Sequence, residues 1–230
     1  LPEGYRFVIA PVDDDVSFRE TLEDFAARRA RAAIVIPPAE GIAIDPRLTA
    51  EMPIASLLSP CQGKGVRPFL PDEVETGRRA AEHLLAHGHT RLLHLTYRRE
   101  SPAIRDRASG FITTLQKAGA EGGVLDDLSP ETIVASVKKR KVTACFCHND
   151  WLALTAQRAL HAAGLRIPEE VSLLGVDDSP TFVSLCPEIS TLHYPAESIA
   201  AAIQVWLTGK KPPTIEPAWV VARKTVRRIG

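Results

Sequence analysis

Four short clusters carry the side chains with which this chain could do chemistry. Cys147-His148-Asn149-Asp150 sets a thiol, an imidazole, a carboxamide and a carboxylate in a row. With Cys145 added, the run offers soft metal ligands. A tetrahedral zinc site needs a fourth ligand, usually from a second Cys or His pair, and none stands at a suitable spacing. The Asn149 carboxamide both donates and accepts, which suits a sugar or another polyhydroxy ligand. Asn149 or Asp150 could also cap a following helix, and for Asp150 capping is the simpler reading. In Asp177-Asp178-Ser179-Pro180, two carboxylates follow an apolar run. They either cap a turn or grip ligand hydroxyls or an amine. An acid/base pair is a weaker reading, because adjacent residues after a strand diverge. Arg105-Asp106-Arg107 opens a helical pattern, where a cation opposes the helix dipole. Either Asp106 offsets it, or Arg107 is kept to fork onto a ligand carboxylate, phosphate or hydroxyl pair. Asp13-Asp14-Asp15 looks like a phosphoacceptor pocket, but the further Asp, Thr and Lys that such a pocket needs cannot be assembled. Asp15, ahead of Phe18 and Leu22, reads as a helix cap, and the other two as solvated surface. Ser101-Pro102 and Ser179-Pro180 lack a base partner. No glycine-rich phosphate loop, nucleophile elbow or zinc-helix pair occurs. No catalytic residue and no metal site is assigned.

The elements that must position these clusters alternate along the chain. Strands are expected at Tyr5–Val12, Ala32–Ile36, Ile54–Leu58, Arg91–Leu95, Thr143–Cys147, Val171–Val176 and Trp219–Ala222. Between them, apolar residues recur at helical spacing: Phe18, Leu22 and Phe25; Gly77, Ala80, Ala81, Leu84 and Leu85; Ala108, Phe111, Ile112 and Leu115; Ile133, Val134 and Val137 behind Pro130; Leu152, Thr155, Ala156, Ala159, Leu160 and Ala163; Ile199, Ala202, Ile203 and Trp206. Gly88, Gly119, Gly164 and Gly209 fall where helices end. Continuous apolar strands between helices imply an α/β fold with parallel sheets covered on both faces. In such sheets ligands sit outside the carboxyl ends of the strands. The residues just past the strands are polar: Asp13–Asp15, Pro37–Glu40, Ser59–Gln62, Thr96–Arg99, His148–Asp150 and Asp177–Ser179.

Bulk composition narrows the class. The 230 residues allow one large domain or two lobes of about 100 residues each. Lys+Arg and Asp+Glu both total 28, so this stretch is not the basic chain a free-standing nucleic-acid binder would be. Arg223, Lys224, Arg227 and Arg228 read as a solvated basic tail. No apolar run is long enough for a membrane helix, and the first residues have no signal pattern. The four cysteines suggest no disulfide framework, which favours a reducing, cytoplasmic setting.

The stretch Thr143–Thr181 resembles the LacI/GalR (lactose repressor) family of bacterial transcription regulators. The matching residues are Asn149-Asp150, Gly164, Ile167-Pro168, Val171-Ser172 and Gly175-Val176-Asp177-Asp178. Val176 stands where the family has an aromatic and would alter a pocket wall. Thr76-Gly77 through His87-Gly88-His89, Arg107-x-x-Gly110-Phe111, Ser190-Thr191-Leu192 before Pro195, and Val220–Arg223 agree as well. The resemblance covers most of Tyr5–Thr225. It implies two Rossmann-like lobes of the type I periplasmic-binding-protein-like kind, joined by three crossovers. The N-terminal lobe would hold 1–93 and 195–217, without the family's first strand and helix, and Gly4-Tyr5 would open its second strand. The C-terminal lobe would hold 94–194 and 218–230.

By motif match, Arg107, Asn149 and Asp177 would contact an effector between the lobes. Asp13 and Ser59, in loops after lobe-one strands, would add contacts. The resemblance implies a small, sugar-like effector, no cofactor, a homodimer, and operator DNA bound through a domain outside this stretch. Ligand binding would shift the two lobes between two relative orientations. A solute-binding protein for transport, and a sugar- or nucleotide-handling enzyme, are the alternatives. Ile199, Ala202, Ile203 and Trp206 would face either a core or a dimer interface.

Overall fold

The computed structural model describes residues 6–98 and 101–230. Packing divides the chain into two compact units. Unit 1 takes Leu1–Pro71, Ser101–Ala103 and Pro195–Glu216; unit 2 takes Asp72–Glu100, Ile104–Tyr194 and Pro217–Gly230. The chain therefore passes five times between two discontinuous units, two of the passages bracketing the short stretch Ser101–Ala103, and each unit is built around a mainly parallel sheet.

In unit 1, helix α1 (Asp15–Ala27) is followed by strand β1 (Ala33–Val35), helix α2 (Pro46–Glu51) and strands β2 (Ile54–Leu57) and β3 (Val66–Phe69). The strands run parallel in the order β1-β2-β3. Phe18 and Leu22 of α1 and Leu48 of α2 pack with Ile42, Ile44, Met52 and Ile54 in one core. β3 carries Pro68, which fits a strand at a sheet edge, where one N–H is expendable. Residues 6–12 form no strand, against the expectation for Tyr5–Val12; Gly4 and Tyr5 lie outside the described residues. Phe7, Val8 and Ile9 are 67, 70 and 91% exposed. An apolar run becomes a strand only where a neighbour takes up its backbone groups, and these residues pair with no strand among the described residues. Helix α8 (Ala196–Leu207) buries Ile199, Ala202 and Ile203, and its Trp206 meets Phe69 edge to face at 5.8 Å. This face belongs to the core.

Unit 2 is a six-stranded sheet in the order β5-β4-β6-β7-β8-β9. Its strands are β4 (Arg91–Leu95), β5 (Glu121–Leu125), β6 (Ala144–Cys147), β7 (Ser172–Asp177), β8 (Ser190–His193) and β9 (Trp219–Val221). All neighbours are parallel except β9, which runs antiparallel to β8. Alternate residues feed two cores. Leu92, Ala144, Phe146, Leu174 and Val176 face helices α3 (Glu73–Ala86) and α4 (Pro102–Lys117). Leu93, Leu95, Cys145, Cys147 and Leu173 face α5 (Pro130–Lys139) and α6 (Asp150–Ala162). This two-sided burial explains why the strands read as continuous apolar runs. Val176 lies in the α3/α4 core, so replacing an aromatic there changes packing and not an exposed wall.

The first boundary between units falls at 71/72, whereas the sequence reading set it at residue 93. Two glycines account for the placement of α3. A Cβ on Gly77 would fall on the Arg107 carbonyl oxygen, and one on Gly110 on that of Val74. The backbones of α3 and α4 touch at these residues, and that contact holds α3 to the six-stranded sheet.

The C-terminal segment is tied to the sheet through Arg223 and Thr225, while Lys224, Arg227 and Arg228 are exposed as expected of a solvated tail. Arg223 donates to the Ile189 carbonyl at 2.9 Å and pairs with Asp178. Thr225 is buried; its hydroxyl donates to the Leu173 carbonyl at 2.7 Å and accepts from the Ser190 N–H at 2.8 Å. The segment closes hydrogen bonds of the sheet, and charge pattern alone could not reveal this.

Candidate functional site

Four neighbouring strands of unit 2 end in polar residues. β4 delivers Thr96, β6 His148, β7 Asp177 and β8 Tyr194. The Thr96 Oγ1, His148 Nδ1 and Tyr194 hydroxyl are buried without a hydrogen-bond partner among the described residues, as is Nε2 of His94 on β4. A buried polar atom left unpaired costs about 1–3 kcal/mol, so several at one sheet end call for an explanation beyond stability.

Arg107 lies at the hub of this end and is 4% exposed. Its Nε and Nη2 both reach Glu73 Oε2, at 2.8 and 2.7 Å, and its Nη1 donates to the His148 carbonyl. Glu73 sits in the first turn of α3, facing Arg107 in the second turn of α4. The Gly77–Gly110 contact brings the two turns this close. Asp106 does not offset Arg107; it pairs with Arg105 at 3.5 Å. Burial pushes the Glu73 carboxyl up, while Arg107 opposes the shift. His148 is driven down to about 2 by burial and then by the Arg107 charge, and His94 falls to about 3 for the same reasons, so both imidazoles are neutral.

Asn149 caps α6, its Oδ1 accepting from the Leu152 N–H at 2.9 Å. The same oxygen accepts from the Tyr97 hydroxyl at 3.1 Å, and Tyr97 meets His148 edge to face at 5.6 Å. The expected cap, Asp150, points inward instead. It accepts from the Thr191 hydroxyl at 2.6 Å and the Asp178 N–H at 2.8 Å. Glycine is required at 175, because a Cβ there would fall on the Asp150 carboxylate.

Asp177 and Asp178 have φ of 129° and 56°, a conformation rare for residues with side chains. The two carboxylates diverge, as expected for neighbours after a strand. Burial, and then the Asp150 charge, pushes Asp177 up to about 7. Burial raises Asp150 to about 6. Burial also acts on Asp178, but hydrogen bonds from Arg223 and His193 prevail and hold it below the usual range. His193 Nδ1 lies 3.0 Å from Asp178 Oδ2, and its ring stacks on Trp219 at 4.2 Å. Neither aspartate caps α7 (Pro180–Leu185); Ser179 does.

Arg107, Asn149 and Asp177 thus lie in unit 2 at one sheet end. The Arg107 charge acts on Asp177, His94, His148 and Tyr194 alike. Asp13 and Ser59 lie in unit 1. Asp13 is exposed, and its N–H donates to Ser17 Oγ at 3.1 Å, while Asp14, not Asp15, caps α1. Ser59 follows β2, and its hydroxyl is buried without a partner among the described residues. The sequence reading missed Glu73, His94 and Tyr194, and held Tyr97 only as part of the stretch Thr96–Arg99. A Glu in a first helical turn is ordinarily explained by the dipole, and the others look like strand or loop residues. The one available signal was the pair Gly77 and Gly110, each inside a helical pattern.

Chemically, this end combines a balanced Arg–Glu pair, a carboxyl group near neutrality, neutral imidazoles and free hydroxyls. Cys145 and Cys147 are fully buried, and burial pushes the Cys145 thiol up to about 12, so neither offers a thiolate to a ligand or metal. Such a set has the donors and acceptors to hold a neutral ligand rich in hydroxyls or amides by hydrogen bonds.

Residues 81–227 match the family model described as a periplasmic binding protein-like domain. Among curated relatives, the HTH-type transcriptional repressor PurR of Aliivibrio salmonicida is 29% identical over 177 residues, covering 70% of this chain and 53% of its own length. The chain therefore spans about half the length of that relative. Two solved structures share the fold. A sugar-binding transcriptional regulator of the LacI family from Escherichia coli has a TM-score of 0.74 at 20% identity, over 94% of this chain and 84% of that one. A dimeric Lac repressor with a C-terminal deletion has a TM-score of 0.76 at 20% identity, over 97 and 88%.

Proposed function

We propose that this chain, which belongs to the periplasmic binding protein-like domain family and is kin to the LacI/GalR regulators, is the effector-sensing part of a bacterial transcriptional regulator. The observation that carries this reading is the row of polar groups at the carboxyl ends of β4, β6, β7 and β8. The ligand would be a small, neutral, hydroxyl-rich molecule such as a sugar. Asp177 would accept from its hydroxyls, the Asn149 Nδ2 would donate to it, and Tyr194 and Thr96 would serve either way. Arg107 would position the wall through Glu73 and the His148 backbone, and present its remaining N–H groups. Asp13 and Ser59 would add contacts from unit 1. We assign binding, not turnover. Operator DNA, a homodimer and a cytoplasmic setting complete the proposal. No helix among the described residues is long and apolar enough to cross a membrane.

Coupling would come from the effector's difference in affinity for two conformations of the regulator. The test is calorimetry with a panel of monosaccharides, disaccharides and purines, on the wild type, Asp177→Asn and Asn149→Ser. Serine keeps the helix cap while removing the amide donor. A ligand that binds all three proteins equally well would refute the site. No heat with any of the panel, combined with turnover of one compound, would refute the function.

A further inference from the structure

The opposite end of the same sheet holds a second concentration of charge. A cleft of about 550 Å³ opens at the amino ends of β4 and β5 and the approach to β6, lined by Arg91, Glu121, Lys139, Arg140 and Lys141 with Leu92, Gly122 and Val142. Four cations face one carboxylate, in a chain whose charges as a whole cancel at 28 against 28. None of the four makes an ion pair among the described residues. Arg91 spends only its Nε, which donates to the Lys141 carbonyl at 2.8 Å. Its two terminal NH₂ groups stay available, as do Lys139, Arg140 and Lys141.

Two backbone features hold this cluster in place. Helix α5 ends with the Lys141 N–H bonded to Lys138 O at 3.2 Å and the Val142 N–H to Val137 O at 3.0 Å. That closure needs a left-handed residue, and Lys141 takes it at φ 50°. Helices α3, α4, α6 and α8 put Gly88, Gly119, Gly164 and Gly209 there instead. Arg29 closes α1 as Lys141 closes α5, so the conformation alone assigns nothing. What sets Lys141 apart is its company. On the facing strand β5, a Cβ at Gly123 would collide with Arg140 Nη1. Glycine weakens a strand interior, and here the Arg140 guanidinium lies where a side chain at 123 would stand. The C-terminal backbone also passes this end of the sheet, where the Arg227 carbonyl meets the His89 ring at 3.1 Å just before β4.

The bland account is a charged sheet edge that discourages pairing with other chains, with lysines favoured by the negative end of the α5 dipole. It explains the lysines at the helix end. It does not explain a concave site that gathers cations from β4 and from the end of α5, none of them in an ion pair among the described residues. We propose that this cleft binds a small polyanion, a molecule bearing two or more phosphate or carboxylate groups. Arg91 and Arg140 would fork onto oxyanions, and Lys139 and Lys141 would act as point charges. This site lies at the other end of the strands from the effector site and does not depend on it.

The experiment uses inorganic tripolyphosphate and citrate as probes at constant ionic strength, with amide NMR shifts and calorimetry on the full chain. Saturable binding at one site per chain, with shifts centred on Gly122, Gly123 and Lys141, is the expected result. The double variant Lys139→Gln/Lys141→Gln should weaken it about 10- to 100-fold, as losing charge-assisted bonds implies. Lys210→Gln/Lys211→Gln removes the same charge from exposed positions of unit 1 and should leave binding unchanged. All four lysines are exposed, so folding is not at stake, and a thermal melt verifies this. Equal loss in both double variants would reduce the effect to general electrostatics and overturn the proposal. So would shifts at the carboxyl strand ends, or a response to duplex DNA with none to either probe.

Discussion

Arg107→Met is the most informative single perturbation. Arg107 and Glu73 form an ion pair whose side chains are 5 and 9% exposed, with the His148 carbonyl as the third partner. Methionine fills the aliphatic volume of the arginine and removes its charge. Glu73 is then left buried without a counterion, and breaking a buried pair this way costs about 3–5 kcal/mol. That is a large share of the about 5–15 kcal/mol that stabilises a typical domain. For a chain of this size it corresponds to a fall in Tm of about 6–20 °C.

The cost has a definite pH dependence. Burial already raises Glu73, and losing Arg107 removes the main opposing influence. In the variant, folded Glu73 holds a proton that unfolded Glu73 has released. Stability is therefore fully retained below the ordinary glutamate value of 4.5 and lost as pH rises through the raised one. The penalty should be larger at pH 8 than at pH 5. Glu73→Gln/Arg107→Met removes both charges and should recover most of the loss. The assay is urea unfolding at both pH values. In a Trp206→Phe background, the remaining Trp151 and Trp219 report on unit 2 alone. A penalty under about 1 kcal/mol at pH 8, far below that of a broken buried pair, would refute the reasoning. So would a double variant no more stable than the single.

Three further outcomes follow from the same structure. Asp177 is raised from 3.8 to about 7, so its buried proton supports the fold at low pH and that support is lost as pH rises through 7. Asp177→Asn lacks this dependence, and its stability relative to wild type should improve between pH 4 and pH 8 by up to about 4 kcal/mol; a flat difference would contradict the burial described. Gly110→Ala should cost about 3 kcal/mol or more by forcing α3 off α4, whereas Gly119→Ala, with nothing near its Cβ and φ of 68°, should cost only about 1–2 kcal/mol of backbone strain. Equal costs would argue against the backbone contact. A thiol reagent should label half-buried Cys61 first in the native protein and reach Cys145 and Cys147 only on unfolding, read by mass spectrometry; early labelling of either strand cysteine would contradict the core.

Most of the fold was legible in the sequence because parallel strands buried on two faces leave continuous apolar runs. β4, β6 and β7, with the helices that cover them, therefore showed through. Elements with weak patterns did not. β3 carries Pro68, β5 carries Gly122-Gly123, and α2 and α7 are six residues each, too short for a helical period to show. Tyr5–Val12 erred the other way: the run is apolar, but a strand also needs a neighbour.

For the site, the sequence alone determined which residue types stand past the strand ends, including Asn149, Asp177 and the Arg107 that opens α4. Local spacing cannot say which polar groups spend their hydrogen bonds on the fold and which keep them. Tertiary structure decided that Asn149, not Asp150, caps α6, that Asp150 turns inward to Thr191, and that Arg107 is held by Glu73 from 34 positions away. Two glycines that bring helix backbones into contact, and the order in which strands lie side by side, settle those pairings, and both are properties of packing.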